Sequence, residues 1–220
     1  HQRLPGVIIA VDNCYCEFCE INEPTAYGAD IMAGSLIKNP GGGLAPTGGY
    51  VAGKSALVER VAQRLTVPGL GAEVGSYAGD YRVFYQGLFM APHTVAQCLK
   101  SVVLFAACLE QLGFETLPAY NDPRSDIVES IRFGSPEKLI QFCKGIQKAA
   151  PVDSNLVPEP WDMPGYADPV IMAEGSFVQG ATTELSVDGP MRAPYIGYLQ
   201  GSLTYAHGRI AAMLAVDALL

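Results

Sequence analysis

Between Asn39 and Gly53 the chain reads NPGGGLAPTGGYVAG, six glycines and two prolines in fifteen residues. A helix is excluded there, because each interior Gly costs about 1 kcal/mol and each Pro about 3 kcal/mol against Ala. The interspersed Leu, Tyr and Val are too apolar for a solvated linker. The segment must therefore form tight turns around a short strand at Tyr50, Val51 and Ala52. What flanks it fixes the class. Upstream, Val7-Ile8-Ile9-Ala10-Val11 is an apolar, β-branched run closed by Asp12-Asn13, which predicts a fully buried, parallel strand. Downstream, Ser55 to Leu65 places Leu57, Val58, Val61 and Leu65 on one helical face. Strand, turn and helix in this order indicate an α/β fold, in which ligands collect at the carboxyl ends of the strands, where Asp12 stands.

A longer helix is predicted from Pro92 to Leu112, with Pro near its start and Gly113 as its stop. Beyond it the pattern changes to α+β. Glu115 to Ala119 and Asp126 to Phe133 read as extended, followed by a helix from Ser135 to Lys148 with Ser135 as its cap and Leu139, Cys143 and Ile146 facing inward. The loop from Ala150 to Asp168 is proline-rich and carries the only Trp. Val170 to Ala173, Phe177 to Val178 and Thr182 to Val187 are strand candidates, and Tyr205 to Leu220 is a terminal helix. A boundary near residue 90 thus divides residues 1–90 from residues 91–220.

The formal net charge of −8, with no Lys/Arg cluster, argues against nucleic acid and anionic membrane surfaces as partners and for a small ligand. The runs of strongest apolarity, Val102 to Leu109 and the stretch from Ile210, fall short of the ~18 residues of a membrane helix. Cys98, Cys108 and Cys143 occupy apolar helical positions, as reduced thiols of a cytoplasmic protein do.

Three patterns carry chemistry. Gly48 to Ser55, GGYVAGKS, satisfies the phosphate-loop template, yet the apolar Tyr-Val-Ala lies inside the would-be loop and no buried strand precedes it; a strand and turn is the better reading, with a nucleotide hydrolase as the rival. Cys14, Cys16 and Cys19 form C-x-C-x-x-C, but no fourth ligand lies nearby and the three histidines are scattered singly, so no metal site is expected. The third is Asp12 followed by Ser35-Leu36-Ile37-Lys38. A lone Lys in an apolar, glycine-rich stretch is a desolvated amine suited to nucleophilic work, and a Ser three residues before it suits a phosphate. On spacing alone a structural lysine in a turn stays open.

The segments VDNCYCEF, GADIMAGSLIKNPGGGLAPTGGYVAGK, APH, FCKGIQ, PEPWDMPGY, VIMAEGSFVQGATTELSVDGP and RAPYIGYLQG together resemble the aluminium-resistance protein family. That family is similar to methionine gamma-lyase and cystathionine beta-lyase among the pyridoxal-phosphate enzymes of aspartate-aminotransferase fold. The resemblance implies the C-terminal half of a type I pyridoxal-phosphate transferase fold. Residues 1–90 would complete a mixed, mostly parallel sheet of the large domain, and residues 91–220 would form a smaller α+β domain. It implies pyridoxal 5'-phosphate as cofactor, Lys38 as Schiff-base former and general base, Asp12 on the pyridinium nitrogen and Ser35 on the phosphate. Arg192 would bind the substrate carboxylate, with Arg82 as the fallback. The implied activity is a carbon–sulfur lyase acting on a small sulfur amino acid in a cytoplasmic homo-oligomer; the alternative is a non-catalytic stress or metal-resistance protein on the same fold. Cys16 departs from the family's usual Gly. The chain also starts at the strand bearing Asp12, so it is expected to pair with an N-terminal segment that supplies the glycine-rich phosphate cup.

Overall fold

The computed structural model describes residues 3–67, 69–174, 176–178 and 180–220, which form two sheets. The first holds β1 (Ala10–Asp12), β2 (Ile31–Ser35) and β3 (Gly49–Gly53), in that order. β1 runs parallel to β2 with Asp12 opposite Ala33, and β3 runs antiparallel to β2 with Gly49 opposite Ser35. The sheet is thus mixed but not mostly parallel. A parallel return needs a crossover, usually helical, and the glycines and prolines between β2 and β3 forbid the helix.

The apolar run at the start also differs from expectation. Only Ala10–Asp12 is paired as a strand, and Val7, Ile8 and Ile9 are 48%, 51% and 37% exposed. β1 is an edge strand, and α1 (Ser55–Leu65), none of whose residues is buried, does not close over it.

α2 (Arg82–Gln111) begins ten residues before Pro92, which lies inside the helix rather than at its start. It runs unbroken across position 90. By length and composition α2 could cross a membrane, a test that core helices also pass; Val95, Cys98, Val102, Phe105 and Leu109 are buried in the protein's own core. Gly113, at φ +85°, ends it by donating to the carbonyl of Glu110.

The second sheet is antiparallel throughout, in the order β4 (Glu115–Leu117), β5 (Val128–Arg132), β8 (Ile196–Gln200), β7 (Ser186–Pro190) and β6 (Val170–Glu174). α3 (Pro136–Lys148) and α4 (Tyr205–Leu219) pack on it together with the second half of α2. Ile131, Leu139, Phe142, Ile146, Val187 and Leu199 are fully buried between these layers. Ser135 caps α3 as expected, its Oγ accepting from Lys138 N at 3.3 Å. Phe177 and Val178 do not form a strand, because both their amides donate to the Glu184 carboxylate, each at 2.9 Å. β7 starts four residues later than expected, at Ser186, and β8 was not foreseen. Within β5, Glu129 is fully buried beside Arg124, with Nη2 to Oε2 at 2.6 Å. Burial pushes the Glu129 carboxyl up to about 7 against the pull of Arg124.

Candidate active site

The parallel pairing of β1 and β2 brings their carboxyl ends to one edge of the first sheet. Asp12 is the last residue of β1, Ser35 the last of β2, and Lys38 follows within one turn, its amide donating to the Ser35 carbonyl at 3.3 Å. These three expected site residues therefore meet. Asp12 is solvent-exposed, and its Oδ1 accepts the Cys14 amide at 3.1 Å. That bond, followed by smaller contributions that include the charge of Lys38, holds its carboxyl below the usual carboxylate range. Lys38 Nζ stands 4.4 Å from the centroid of the Tyr15 ring, and among the described residues no carboxylate pairs with it.

Behind this edge lies a buried polar network that the sequence reading did not assign. Asn13 Nδ2 donates to Glu23 Oε2 at 2.8 Å and to the Tyr50 hydroxyl at 3.1 Å, and that hydroxyl donates to Glu17 Oε1 at 2.9 Å. Asn39 Nδ2 donates to the carbonyls of Tyr15 at 2.9 Å and Glu17 at 3.0 Å. Asn13, Glu17 and Asn39 are all buried, and burial raises the carboxyl of Glu17. One local signal was available. Each buried asparagine directly follows a site residue, Asp12-Asn13 and Lys38-Asn39.

The glycine density now has a cause. A methyl on Gly34 would stand 2.8 Å from Tyr50 Cζ and overlap Glu17, and one on Gly87 of α2 would stand 2.8 Å from the carbonyl carbon of Gly41. The Lys38 turn is thus pressed directly against the α2 backbone. Beside it a cavity of about 870 Å³ opens between β3, α1 and the start of α2, lined by Leu36, Gly48, Tyr50, Val61, Tyr81 and Phe84.

Arg192 is not part of this cluster. It sits in the β7–β8 hairpin, exposed, with Nη1 3.4 Å from Asp168. Gln200, at the other end of β8, is the part of that hairpin that reaches Tyr15. Eight residues of hairpin, four of them along β8, put Arg192 more than about 10 Å from that contact, at 3.3 Å per residue. Arg82 opens α2 about one and a half turns before Gly87, the residue that meets the lysine turn.

The phosphate-loop reading is overturned. Residues 49–53 are a strand whose amides serve the β2 ladder, not a loop that wraps phosphates. Lys54 is paired with Asp30, whose carboxylate also accepts the Ile9 amide at 2.7 Å. Cys14, Cys16 and Cys19 carry free thiols, pushed upward by burial, Cys16 to about 11. Among the described residues no group of His, Cys, Asp and Glu is arranged to hold a metal ion.

A family model described as methionine gamma-lyase matches residues 1–220. An uncharacterized protein of Bacillus subtilis (strain 168) is 52% identical over 215 residues, covering 98% of this chain and 51% of its own. A Clostridium acetobutylicum structure, named provisionally as a cystathionine beta-lyase involved in aluminium resistance, is 53% identical with a TM-score of 0.94, over 100% of this chain and 51% of that one. A Clostridium novyi NT structure, named as a carbon-sulfur lyase involved in aluminium resistance, is 52% identical with a TM-score of 0.91, over 97% and 50%. The chain spans about half the length of these three proteins.

Proposed function

The chain belongs to the methionine gamma-lyase family, and from that premise we propose that it carries the lysine-bearing half of a pyridoxal-phosphate carbon–sulfur lyase acting on a small sulfur amino acid. The observation that carries this reading is the meeting of Asp12, Ser35 and Lys38 at the carboxyl ends of two parallel strands. Their chemistry fits the cofactor. A pyridinium nitrogen needs a neighbour that stays anionic, and the Cys14 amide keeps Asp12 so. A phosphate needs a hydroxyl donor, which Ser35 offers at the end of β2. An aldehyde needs an amine unencumbered by a carboxylate, and among the described residues none pairs with Lys38.

When bound, pyridoxal phosphate supplies an electron sink conjugated to the substrate's α-carbon. In this reading Lys38 Nζ would hold the cofactor and would also serve as the base for the substrate's α-proton, with a thiol as the group that leaves the substrate side chain. Asp12 would face the ring nitrogen and Ser35 the phosphate end, which would keep Lys38 and the α-carbon in register. The buried network behind them keeps the loop from residue 13 to residue 23 rigid. The exposed Val7, Ile8 and Ile9, with Tyr85, Leu88 and Phe89 of α2, supply apolar surface for the rest of a relative-length chain and for a second copy.

The test is an absorbance spectrum of the intact protein before and after borohydride, with peptide mapping of the reduced adduct and thiol release from methionine, cystathionine and cysteine. The expected result is an adduct on Lys38 and loss of both cofactor and turnover in Lys38→Ala. Full turnover in that variant refutes the mechanism; a folded protein that takes up no cofactor and releases no thiol returns the non-catalytic alternative.

A further inference from the structure

Tyr15 is held at more points than a loop residue needs. Its backbone is left-handed, at φ +71°, which is uncommon for a side chain other than Gly or Asn. Its carbonyl accepts from Asn39 Nδ2 at 2.9 Å and from the Ile127 amide at 3.2 Å. Its ring lies under Lys38 Nζ at 4.4 Å and packs against the small core of Val95, Cys98 and Ile127. Its hydroxyl accepts from Gln200 Nε2 at 3.4 Å, and the same Gln200 nitrogen donates to Ser186 Oγ at 2.9 Å. Gln200 and Ser186 are buried and stand opposite each other in β8 and β7. One side chain thus joins the two sheets and ends on the lysine.

We propose that Tyr15 is a positioning residue through which the five-stranded sheet sets Lys38: the ring face carries the lysine Nζ, and the hydroxyl ties that ring to β8 through Gln200. The geometry excludes a purely local role. A ring serving only as packing would need neither the Gln200 tether nor the strained backbone that Asn39, the residue next to Lys38, holds in place. A face over a cation also has a consequence that packing alone lacks. It holds the lysine head group against the ring and keeps it from drifting into solvent. The inference rests on Lys38 being the reactive amine of the proposed site.

The experiment is trace acetylation of the intact, cofactor-free protein with acetic anhydride, reading Lys38 against Lys54 by mass spectrometry in wild type, Tyr15→Phe and Tyr15→Leu. Acetylation consumes only the free amine. Loss of the ring in Tyr15→Leu releases the head group into solvent and is expected to speed Lys38 labelling roughly two- to fivefold, the change that loss of an ordinary cation–π contact produces. Tyr15→Phe keeps the ring and cuts the tether, and its rate is expected between the other two. A Tyr15→Leu protein with wild-type melting behaviour and a wild-type Lys38 rate overturns the proposal. A wild-type rate in Tyr15→Phe overturns the link to β8, and because that variant is nearly isosteric it decides the matter even if Tyr15→Leu does not fold. Pyridoxal-phosphate titration of the same samples separates this inference from the lyase reading. No uptake by wild type with the labelling order intact sinks the lyase reading and leaves Tyr15 in its role; uptake on Lys38 with labelling indifferent to residue 15 does the reverse.

Discussion

Gly87→Ala sets two known effects against each other. In an open helix this substitution stabilises by ~1 kcal/mol, because Gly loses more backbone freedom on folding. At Gly87 the new methyl would stand 2.8 Å from the carbonyl carbon of Gly41 and 3.3 Å from its Cα, and would overlap its oxygen. Carbon atoms rest about 3.5 Å or more apart. Helix and turn must therefore separate by at least ~0.7 Å, and further to clear the oxygen, or the helix must bend. Overpacking of this kind costs about 1 to 3 kcal/mol. The upper half of that range applies, since both surfaces are backbone and neither can rotate away. Subtracting the propensity gain leaves a net loss of about 1 to 2 kcal/mol. Urea unfolding of the intact protein should show a lower midpoint at unchanged slope. The turn that gives way is the one behind Lys38, so the folded variant should also take up pyridoxal phosphate more weakly. A variant stabilised by the full propensity gain would refute the close contact and with it this account of the glycine-rich segment.

Three further outcomes follow from the same geometry. Arg124→Ala strips the buried Glu129 of its cation and should cost about 3 to 5 kcal/mol in denaturant unfolding, the usual size for breaking a buried pair. Glu129 titrates near 7 when folded against an ordinary 4.5, so the folded state binds the extra proton and this group's contribution to stability falls as pH rises between those values. The Arg124→Ala defect should accordingly be smaller at pH 5 than at pH 8, and the opposite order would show that Glu129 is not desolvated. Ser135→Ala removes the cap of α3 and should cost ~1 kcal/mol, with Ser135→Gly losing only a few tenths, read as melting temperatures.

The elements legible in the sequence are those whose signals are local. α3 announces both its ends through Ser135, Pro136 and an inward stripe, and α1 and α4 show plain apolar periodicity or a threonine cap. What was misread depends on partners remote in sequence. Pro92 marks a first turn in isolation, but ten helical residues precede it, among them Gly87, which crosses Gly41 at close range. The run from Val7 to Val11 has the composition of a doubly covered strand, and in this chain, which spans about half the length of its relatives, it stands at an edge of the three-stranded sheet. Phe177 and Val178 look like strand residues until a carboxylate seven positions on takes their amides. The same division holds at the site. Asp12, Ser35 and Lys38 stand out by strand ends and spacing, but their roles come from the family resemblance, whereas Glu17, Tyr50 and Tyr15 gain theirs only when three elements converge, which no periodicity encodes.

α2 spans both sheets as one rod about 45 Å long, at 1.5 Å per residue, and Pro92 interrupts its ladder because proline offers no amide to the carbonyl four residues back. The rod is therefore jointed, and the joint adjoins Gly87, where it bears on the turn behind Lys38. Gln111 lies nineteen residues beyond Pro92. A bend of about 5° at the proline swings that far end by roughly 2.5 Å. With that leverage, a small shift of the five-stranded sheet would bear on the lysine turn, and a shift of that turn would displace the sheet.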